Sequence, residues 1–355
     1  GLAKLHGYGF SVDIAAAQQV DLEAEEEDEE EDGEDLEEDA LSAVLRLPAL
    51  RACVTSAEGE VPRELLLATV ALAASGTVAE VPVQELREGS IDELDLSNLY
   101  RGLGPTGAQL VALLLPGSTS LTSLSTGNMT GTKITGDAAQ QLASAVLAKP
   151  DLKIFSGIPL KELRANSLTV LNLSWQVVIS SYGLGVPEAM VLAGLFRSVI
   201  TSLTSLLLAD NNFGDDGVEA LSIGLKDSKS LATLNLSNPR FNSTKFGTKG
   251  AAALASAIAA MPSLTVTNVL RNELNAESAT MLAEVAKKKG LSLCGIQRDQ
   301  TTADFSYMSL NPVDAILLAS DLSQAIVTAS VTKILVRGNQ LGDEGATILC
   351  NALRA

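Results

Sequence analysis

The sequence predicts an α/β solenoid, in which short parallel strands alternate with helices along a row of stacked repeats. Two observations carry this prediction: an internal repeat and a stripe of apolar residues at helical spacing after each strand motif. The repeat is clearest where residues 203–211 align with residues 331–339, both apolar at relative positions 1, 4 and 6 with Asn at position 9. A composition with 46% hydrophobic but 3% aromatic residues adds that the core is aliphatic.

Each unit of the repeat contains one strand motif followed by one helix motif. The apolar residues at positions 1, 4 and 6 are expected to point inward from a short strand, and Asn211 and Asn339 to bond free backbone groups where the chain turns. The next helix buries Val218, Leu221 and Leu225 on one stripe. Because a strand and helix of this size are not covered until the next unit stacks on them, neighbouring units must share one core.

The register continues along the chain from Ile91. Strand motifs begin near Ile91, Leu121, Leu168, Leu203, Leu231, Leu264, Gln300 and Val331, with Phe305 at position 6 of its unit. Extra residues in 239–245 are expected to form a surface loop. Two segments, 152–167 and 291–299, are too short for a strand and a full helix, so an extra strand with a tight loop is expected in each.

Three regions follow from this pattern. Residues 1–40 form an N-terminal segment with an acidic run, and residues 91–355 form the repeat array, which we expect to be truncated at its C-terminal end. Residues 41–90 lie outside the clear register. They read either as a helical cap, with helices over 41–54 and 62–74, or as a further degenerate repeat.

Charge and cysteine usage limit the partners and the compartment. Fifteen of the 43 acidic residues lie between Asp21 and Asp39, which leaves 28 acidic against 25 basic residues elsewhere. Such a run is typical of a disordered, solvated segment, with docking on a basic partner as the alternative. Without a Lys/Arg cluster, nucleic-acid binding is not expected. Three scattered cysteines predict core thiols in a reducing compartment, hence an intracellular and cytoplasmic protein, with an organelle as the alternative.

The pattern LxxLxLxxNxLGDEGAxxL at residues 331–349, and its counterpart at 203–221, resembles the long repeat of ribonuclease-inhibitor-like leucine-rich-repeat proteins. It also resembles the leucine-rich-repeat arrays of unicellular algae. The resemblance covers roughly residues 91–355, although Pro239, Gln176 and Leu99 stand where Asn is expected. It implies a right-handed horseshoe with parallel strands on the concave face and helices on the convex face.

The concave face is the expected place for a partner, because strand positions 2, 3, 5 and 7 point outward. Charge on these positions drifts from acidic in the first unit to basic in the last, which fits a dipolar partner or else reflects incidental solvated charge. Trp175 is expected either at the interface or buried against residues 177–182. The candidate partner-binding residues are Asp92, Glu93, Asp95, Trp175, Leu207, Asn268, Arg271, Lys333, Leu335 and Arg337.

The sequence offers no catalytic constellation. Residues 127–134 are Gly-rich but lack the spacing of a phosphate-binding loop. The pairs Asp215/Asp216 and Asp343/Glu344 precede helices, where carboxylates are favoured by the positive helix end, so we read them as structural. We therefore expect no enzyme activity, no cofactor and no metal site. The apolar run at 65–74 is too short to span a membrane.

The leading hypothesis is a non-catalytic protein-interaction or scaffold module that binds another protein. One alternative is a regulator that stimulates GTP hydrolysis by a small GTPase, with Arg101 or Arg271 as helpers. Another is a recognition segment of a larger sensor, or a subunit of a multiprotein assembly.

Overall fold

A computed structural model describes residues 4–7, 10–19, 51, 54–56, 63–74, 76–78, 81–97, 103–126, 134–174, 183–239 and 244–354. The chain divides into two compact units, Gly1–Ser156 and Gly157–Ala355.

The first unit combines antiparallel and parallel strands. β1 (Lys4–Gly7), β2 (Phe10–Asp13) and β3 (Val54–Ser56) form one antiparallel sheet, and β4 (Thr77–Val78) pairs with β5 (Val81–Pro82). β6 (Glu93–Asp95), β7 (Ser123–Ser125) and β8 (Ile154–Phe155) are parallel. The helices are α1 (Ile14–Ala17), α2 (Arg63–Ala73), α3 (Val83–Glu88), α4 (Gly104–Leu114) and α5 (Gly136–Ala148).

The second unit begins with β9 (Ile158–Pro159) and α6 (Leu160–Arg164). β10 (Val170–Asn172), β11 (Ser205–Leu207), β12 (Thr233–Asn235) and β13 (Val266–Asn268) form a parallel sheet, and β14 (Thr302–Asp304) pairs in parallel with β15 (Lys333–Leu335). The helices are α7 (Val186–Ser198), α8 (Gly214–Leu225), α9 (Thr248–Ala260), α10 (Ala276–Lys289), α11 (Pro312–Leu322), α12 (Ala325–Thr328) and α13 (Gly342–Ala352).

The observed strand register confirms the predicted one. Position 4 of one strand faces position 4 of the next, as in Leu171 beside Leu206 and Leu206 beside Leu234. Leu206, Leu221 and Leu225 are fully buried in a core that the strands share with the helices. Small residues let helices approach closely, since a Cβ atom on Gly224 would collide with the backbone of Ala193 on α7.

The asparagine at position 9 bonds the backbone as expected. The Asn211 side chain donates to the carbonyls of Leu173 and Leu208, each at 3.0 Å, and accepts from the Leu184 amide at 2.8 Å. In the unit that carries Pro239 at position 9, Asn238 donates to the Asn211 carbonyl at 2.9 Å instead. These side-chain amides satisfy buried polar groups of two repeats at once and hold neighbouring repeats in register.

Basic side chains bond carbonyls near the C-terminal ends of preceding helices. The Lys289 ammonium donates to the carbonyl of Ile258 at 2.7 Å and to that of Met261, and desolvation lowers the Lys289 pKa. Arg87 donates to the carbonyls of Ala71 and Ala74 at 3.1 and 2.8 Å. Such bonds satisfy carbonyls that no helical N–H group reaches.

The two short segments differ from the prediction in part. Segment 152–167 contains the five-residue helix α6 where only a strand and a loop were expected. In segment 291–299, Ser292 and Cys294 make isolated bridges to Val266 and Asn268, and no helix forms. The start of α6 resembles the start of α3 earlier in the chain. Pro159 precedes α6 with φ −79° and ψ 79°, and Pro82 precedes α3 with φ −76° and ψ 77°.

Two further expectations need correction. Val54 lies in strand β3, whereas the sequence placed it at the end of a helix. Cys350 is exposed on α13, whereas a core thiol was expected; Cys294 is buried, and Cys53 lies outside the described residues.

Thr267 occupies position 4, where its register partner in the neighbouring strand is Leu234. The Thr267 side chain is fully buried, and its hydroxyl has no hydrogen-bond partner in the described part of the chain. A buried hydroxyl without a partner costs about 1–3 kcal/mol.

We predict that Thr267→Val raises the free energy of unfolding by about 1 kcal/mol, because valine fills the same space without a hydroxyl. Urea unfolding measures the change. Thr265→Val is the matched control, since the Thr265 hydroxyl bonds the Ala232 carbonyl at 3.3 Å and its loss should bring no gain. Destabilisation by Thr267→Val would contradict this account of the core.

Candidate functional site

The candidate site is the outer face of the parallel strands, which we call the sheet face and define as strand positions 2, 3, 5 and 7. In the second unit, position 5 forms a row across four paired strands: Asn172, Leu207, Asn235 and Asn268. Val170 at position 3 is 54% exposed, and Leu207 is half-buried. The face is therefore built mainly of small polar side chains with a few apolar ones.

Several polar residues at position 5 have a local structural role. The side-chain oxygen of Asn268 accepts a hydrogen bond from the Leu270 amide at 3.1 Å, two residues on. Asp95 accepts from the Ser97 amide at 2.9 Å in the same way. Such bonds end the strand and start the turn. Two of the sequence candidates, Asp95 and Asn268, thus already serve the fold.

The acidic candidates lie on and directly before β6 in the first unit. Asp92, Glu93 and Asp95 are exposed. Among the described residues, the Asp92 and Glu93 carboxylates have no hydrogen-bond or ion-pair partner. They form an acidic patch that the fold does not use.

The basic candidates lie on and directly after β15, the last strand of the second unit. Lys333 and Arg337 are exposed and flank the half-buried Leu335. The Arg337 guanidinium lies 5.8 Å from the ring centre of Tyr307, whose side chain is 67% exposed, in a cation–π contact. Beside them, hydrogen bonds from Ser306, helped by the Lys333 charge, lower the pKa of Asp304.

Arg271 is turned to an internal role. Its guanidinium donates to the Pro239 carbonyl at 3.2 Å and to the Met308 carbonyl, while its amide donates to the Asp314 carboxylate at 2.9 Å. Its backbone has φ 67°, in the left-handed region. Arg271 therefore links neighbouring repeats. Trp175 and Arg101 lie outside the described residues.

In the described residues, no group of three or more His, Cys, Asp or Glu side chains is arranged to hold a metal ion. In the same residues, no helix has the length and apolar character needed to cross a bilayer.

Comparison with known proteins places the repeat. A family profile described as "Leucine Rich repeat" matches residues 199–222, which contain β11 and the start of α8. Residues 199–222 thus match a leucine-rich repeat. The solved structure titled "Leiomodin-1 Actin-Binding Site 2 (ABS2)" matches 56% of this chain and 87% of its own, at 16% identity and a TM-score of 0.32. No curated protein matches the sequence.

The sequence pattern did not predict two buried carboxylates in the second unit. Asp314 and Asp321 lie seven residues apart on the mostly apolar helix α11, so they share one helix face. The signal was available, since acidic residues on the buried side of a helix need partners. The irregular segment 291–299 supplies them for Asp321, whereas Asp314 accepts from the amides of Arg271 and Asn311 at 2.9 and 3.0 Å.

Asp321 holds that irregular segment in place. Its carboxylate accepts hydrogen bonds from the Ser292 hydroxyl at 2.6 Å and from the amides of Leu293 and Cys294 at 2.8 and 3.0 Å. Burial raises the Asp321 pKa to about 6, although these hydrogen bonds act to lower it. Burial, together with the Asp321 and Asp314 charges, also raises the pKa of the Cys294 thiol, so Cys294 is not a thiolate nucleophile.

The raised pKa makes Asp321 a source of pH-dependent stability. A group whose pKa is higher folded than unfolded contributes stability below its unfolded pKa and loses it as pH rises through the folded value. We therefore predict that stability relative to Asp321→Asn, which does not titrate, falls by about 2 kcal/mol from pH 4 to pH 7.

Urea unfolding of both proteins across this pH range measures the difference. Asp304→Asn is the comparison of opposite sign, because a lowered pKa stabilises above the unfolded value and loses that stability as pH falls. A pH-independent difference between wild type and Asp321→Asn would refute the assignment.

Proposed function

We propose that this leucine-rich-repeat protein is a non-catalytic protein-interaction or scaffold module that binds a protein partner on the sheet face. We also propose that the strands and helices form a ribonuclease-inhibitor-like array, in which the parallel strands line the concave side of a right-handed horseshoe. Stacked repeats of this kind are known for extended binding surfaces.

The observation that carries the proposal is the exposure of sheet-face side chains that the fold does not use. Asp92, Glu93 and Lys333 are exposed, and in the described part of the chain their side chains make no hydrogen bond or ion pair. Charged groups left in water cost little until a partner of opposite charge meets them, and then they steer and orient binding. Asp95, Asn268 and Arg271 remain candidates, although each also bonds the backbone of its own chain.

Apolar side chains on the same face supply contact area. Val170, Leu207 and Leu335 stand on β10, β11 and β15 and keep part of their surface in water. Burial of apolar surface stabilises complexes by roughly 25 cal/mol per Å² before the cost of association. In the second unit the face thus combines apolar side chains with the exposed charges of Lys333 and Arg337, as protein interfaces do.

We also propose three regions: an acidic segment over 1–40, a cap or degenerate repeat over 41–90, and a repeat array over 91–355. We propose that the protein is intracellular and binds no nucleic acid. GTPase regulation gains no support from the described residues, since the Arg271 guanidinium is bonded to carbonyls of neighbouring units.

The test compares two single substitutions in one repeat. Leu207→Lys places a charge on the sheet face, and Ile223→Lys places the same charge on the exposed side of α8, where Ile223 is 45% exposed. We expect Leu207→Lys, and separately Arg337→Glu, to weaken partner capture at least tenfold, a loss of about 1.4 kcal/mol. Ile223→Lys should leave capture unchanged.

Capture from extracts of the source cells is quantified by mass spectrometry, with circular dichroism and thermal unfolding as fold controls. Equal capture by all variants, or loss with Ile223→Lys alone, would contradict binding on the sheet face. Stimulated GTP hydrolysis by added small GTPases would favour the regulator instead.

A further inference from the structure

The last repeat of the second unit has a complete counterpart inside the array. Residues 331–353 align with residues 203–225 without a gap. The repeat at 203–225 is covered by the next repeat, which contains β12 and α9. Comparing the two shows which groups of the last repeat are suited to a following repeat. We call β15 with α13 the end surface.

The strand edge is the first such group. The Leu208 amide donates to the Asn235 carbonyl at 2.8 Å, and the Thr204 carbonyl accepts from the Ala232 amide at 2.8 Å. The corresponding Val336 amide and Thr332 carbonyl have no partner in the described chain. A strand edge of this kind can accept one more parallel strand.

The apolar residues of the end surface are uncovered where their counterparts are buried. Leu353 is 64% exposed, whereas Leu225 is 0% exposed. Cys350 is exposed, whereas Ser222 is buried. Three strand residues of the end surface are half-buried although their counterparts Leu203, Leu206 and Leu208 are buried: Val331, Ile334 and Val336.

Polar acceptors identify what fits there. The Asp215 carboxylate accepts from the amides of Gly247 and Gly250 at 2.8 and 2.7 Å, so it caps α9 of the next repeat and not its own helix. Asn212 accepts from the Thr244 amide at 2.9 Å. Asp343 and Gln340 occupy the same two repeat positions, and both are exposed. Their side chains have no partner among the described residues.

We propose that the end surface binds a further leucine-rich repeat in parallel register, and that Asp343 caps the helix of that repeat. The direction follows from charge, because a carboxylate is stabilised by N–H groups at a helix N-terminus and repelled by carbonyls at a C-terminus. An antiparallel second copy would bring the wrong helix end to Asp343. This inference is independent of binding on the sheet face.

The test appends a repeat to the chain. Position 1 recurs after 28 residues from Leu203 to Leu231, so the next position 1 after Val331 falls at 359. A copy of residues 228–261 placed directly after Ala355 achieves this register. Its helix is a copy of α9, which depends on an acidic cap from the preceding repeat.

A second extension provides the matched control. A copy of residues 261–290 after Ala355 gives the same register but carries α10, which Asn275 and Ser278 cap from within the repeat. Both extensions should slow hydrogen exchange at the Val336 amide. Asp343→Ala should speed exchange of the Val336 amide about fivefold in the first extension, because a helix cap is worth about 1 kcal/mol. In the second extension it should not change the exchange rate.

Three other results would each contradict one part of the proposal. If neither extension protects the Val336 amide, the end surface does not bind a repeat. An equal effect of Asp343→Ala in both extensions refutes the capping role. Sedimentation of the unextended chain as a dimer with a protected Val336 amide would assign the surface to a second copy. None of these results bears on partner capture by the sheet face.

Discussion

The fold depends on one constraint: each strand–helix repeat satisfies its own polar and apolar groups only through the repeats beside it. Asn211 shows this directly, since its single amide bonds carbonyls of two successive strands. Asp215 caps the helix of the following repeat, and Lys289 bonds the end of the preceding helix. Stability therefore resides at the contacts between repeats more than within any one of them.

The same constraint separates structural from available side chains on the sheet face. A polar group at position 5, the last residue of the strand, serves the turn, as the Asp95 and Asn268 hydrogen bonds show. Residues such as Glu93 and Lys333, which no neighbouring repeat requires, are free to differ from repeat to repeat. Binding specificity can then change without loss of the fold, which is the basis of the function proposed here.

Much of the fold was predictable because the repeat is read from period and polarity. Position 4 leucines such as Leu206, the turn asparagines, and Phe305 in its interior place all follow from one aligned pattern. The short helix α6 was missed because five residues give too little periodicity. Thr267 breaks the apolar pattern at an interior position, so sequence alone gave no reason to bury it.

The candidate site was less predictable for a physical reason. Outward direction follows from strand alternation, but whether an outward polar group bonds the backbone depends on the turn after the strand. Arg271 looked like an exposed loop arginine, yet carbonyls of two neighbouring repeats hold it. The contact of Tyr307 with Arg337 and the helix cap given by Asp215 could not be predicted from the sequence either, because each joins residues about 30 positions apart.

The most direct test of the central constraint is hydrogen exchange in Leu206→Asp, with Leu207→Asp as control. Leu206 is fully buried between repeats, whereas its neighbour Leu207 faces outward. If repeats stabilise one another through shared contacts, Leu206→Asp must speed exchange in β10 and β12 as well as in β11, and Leu207→Asp must not. Faster exchange confined to β11 would contradict the account.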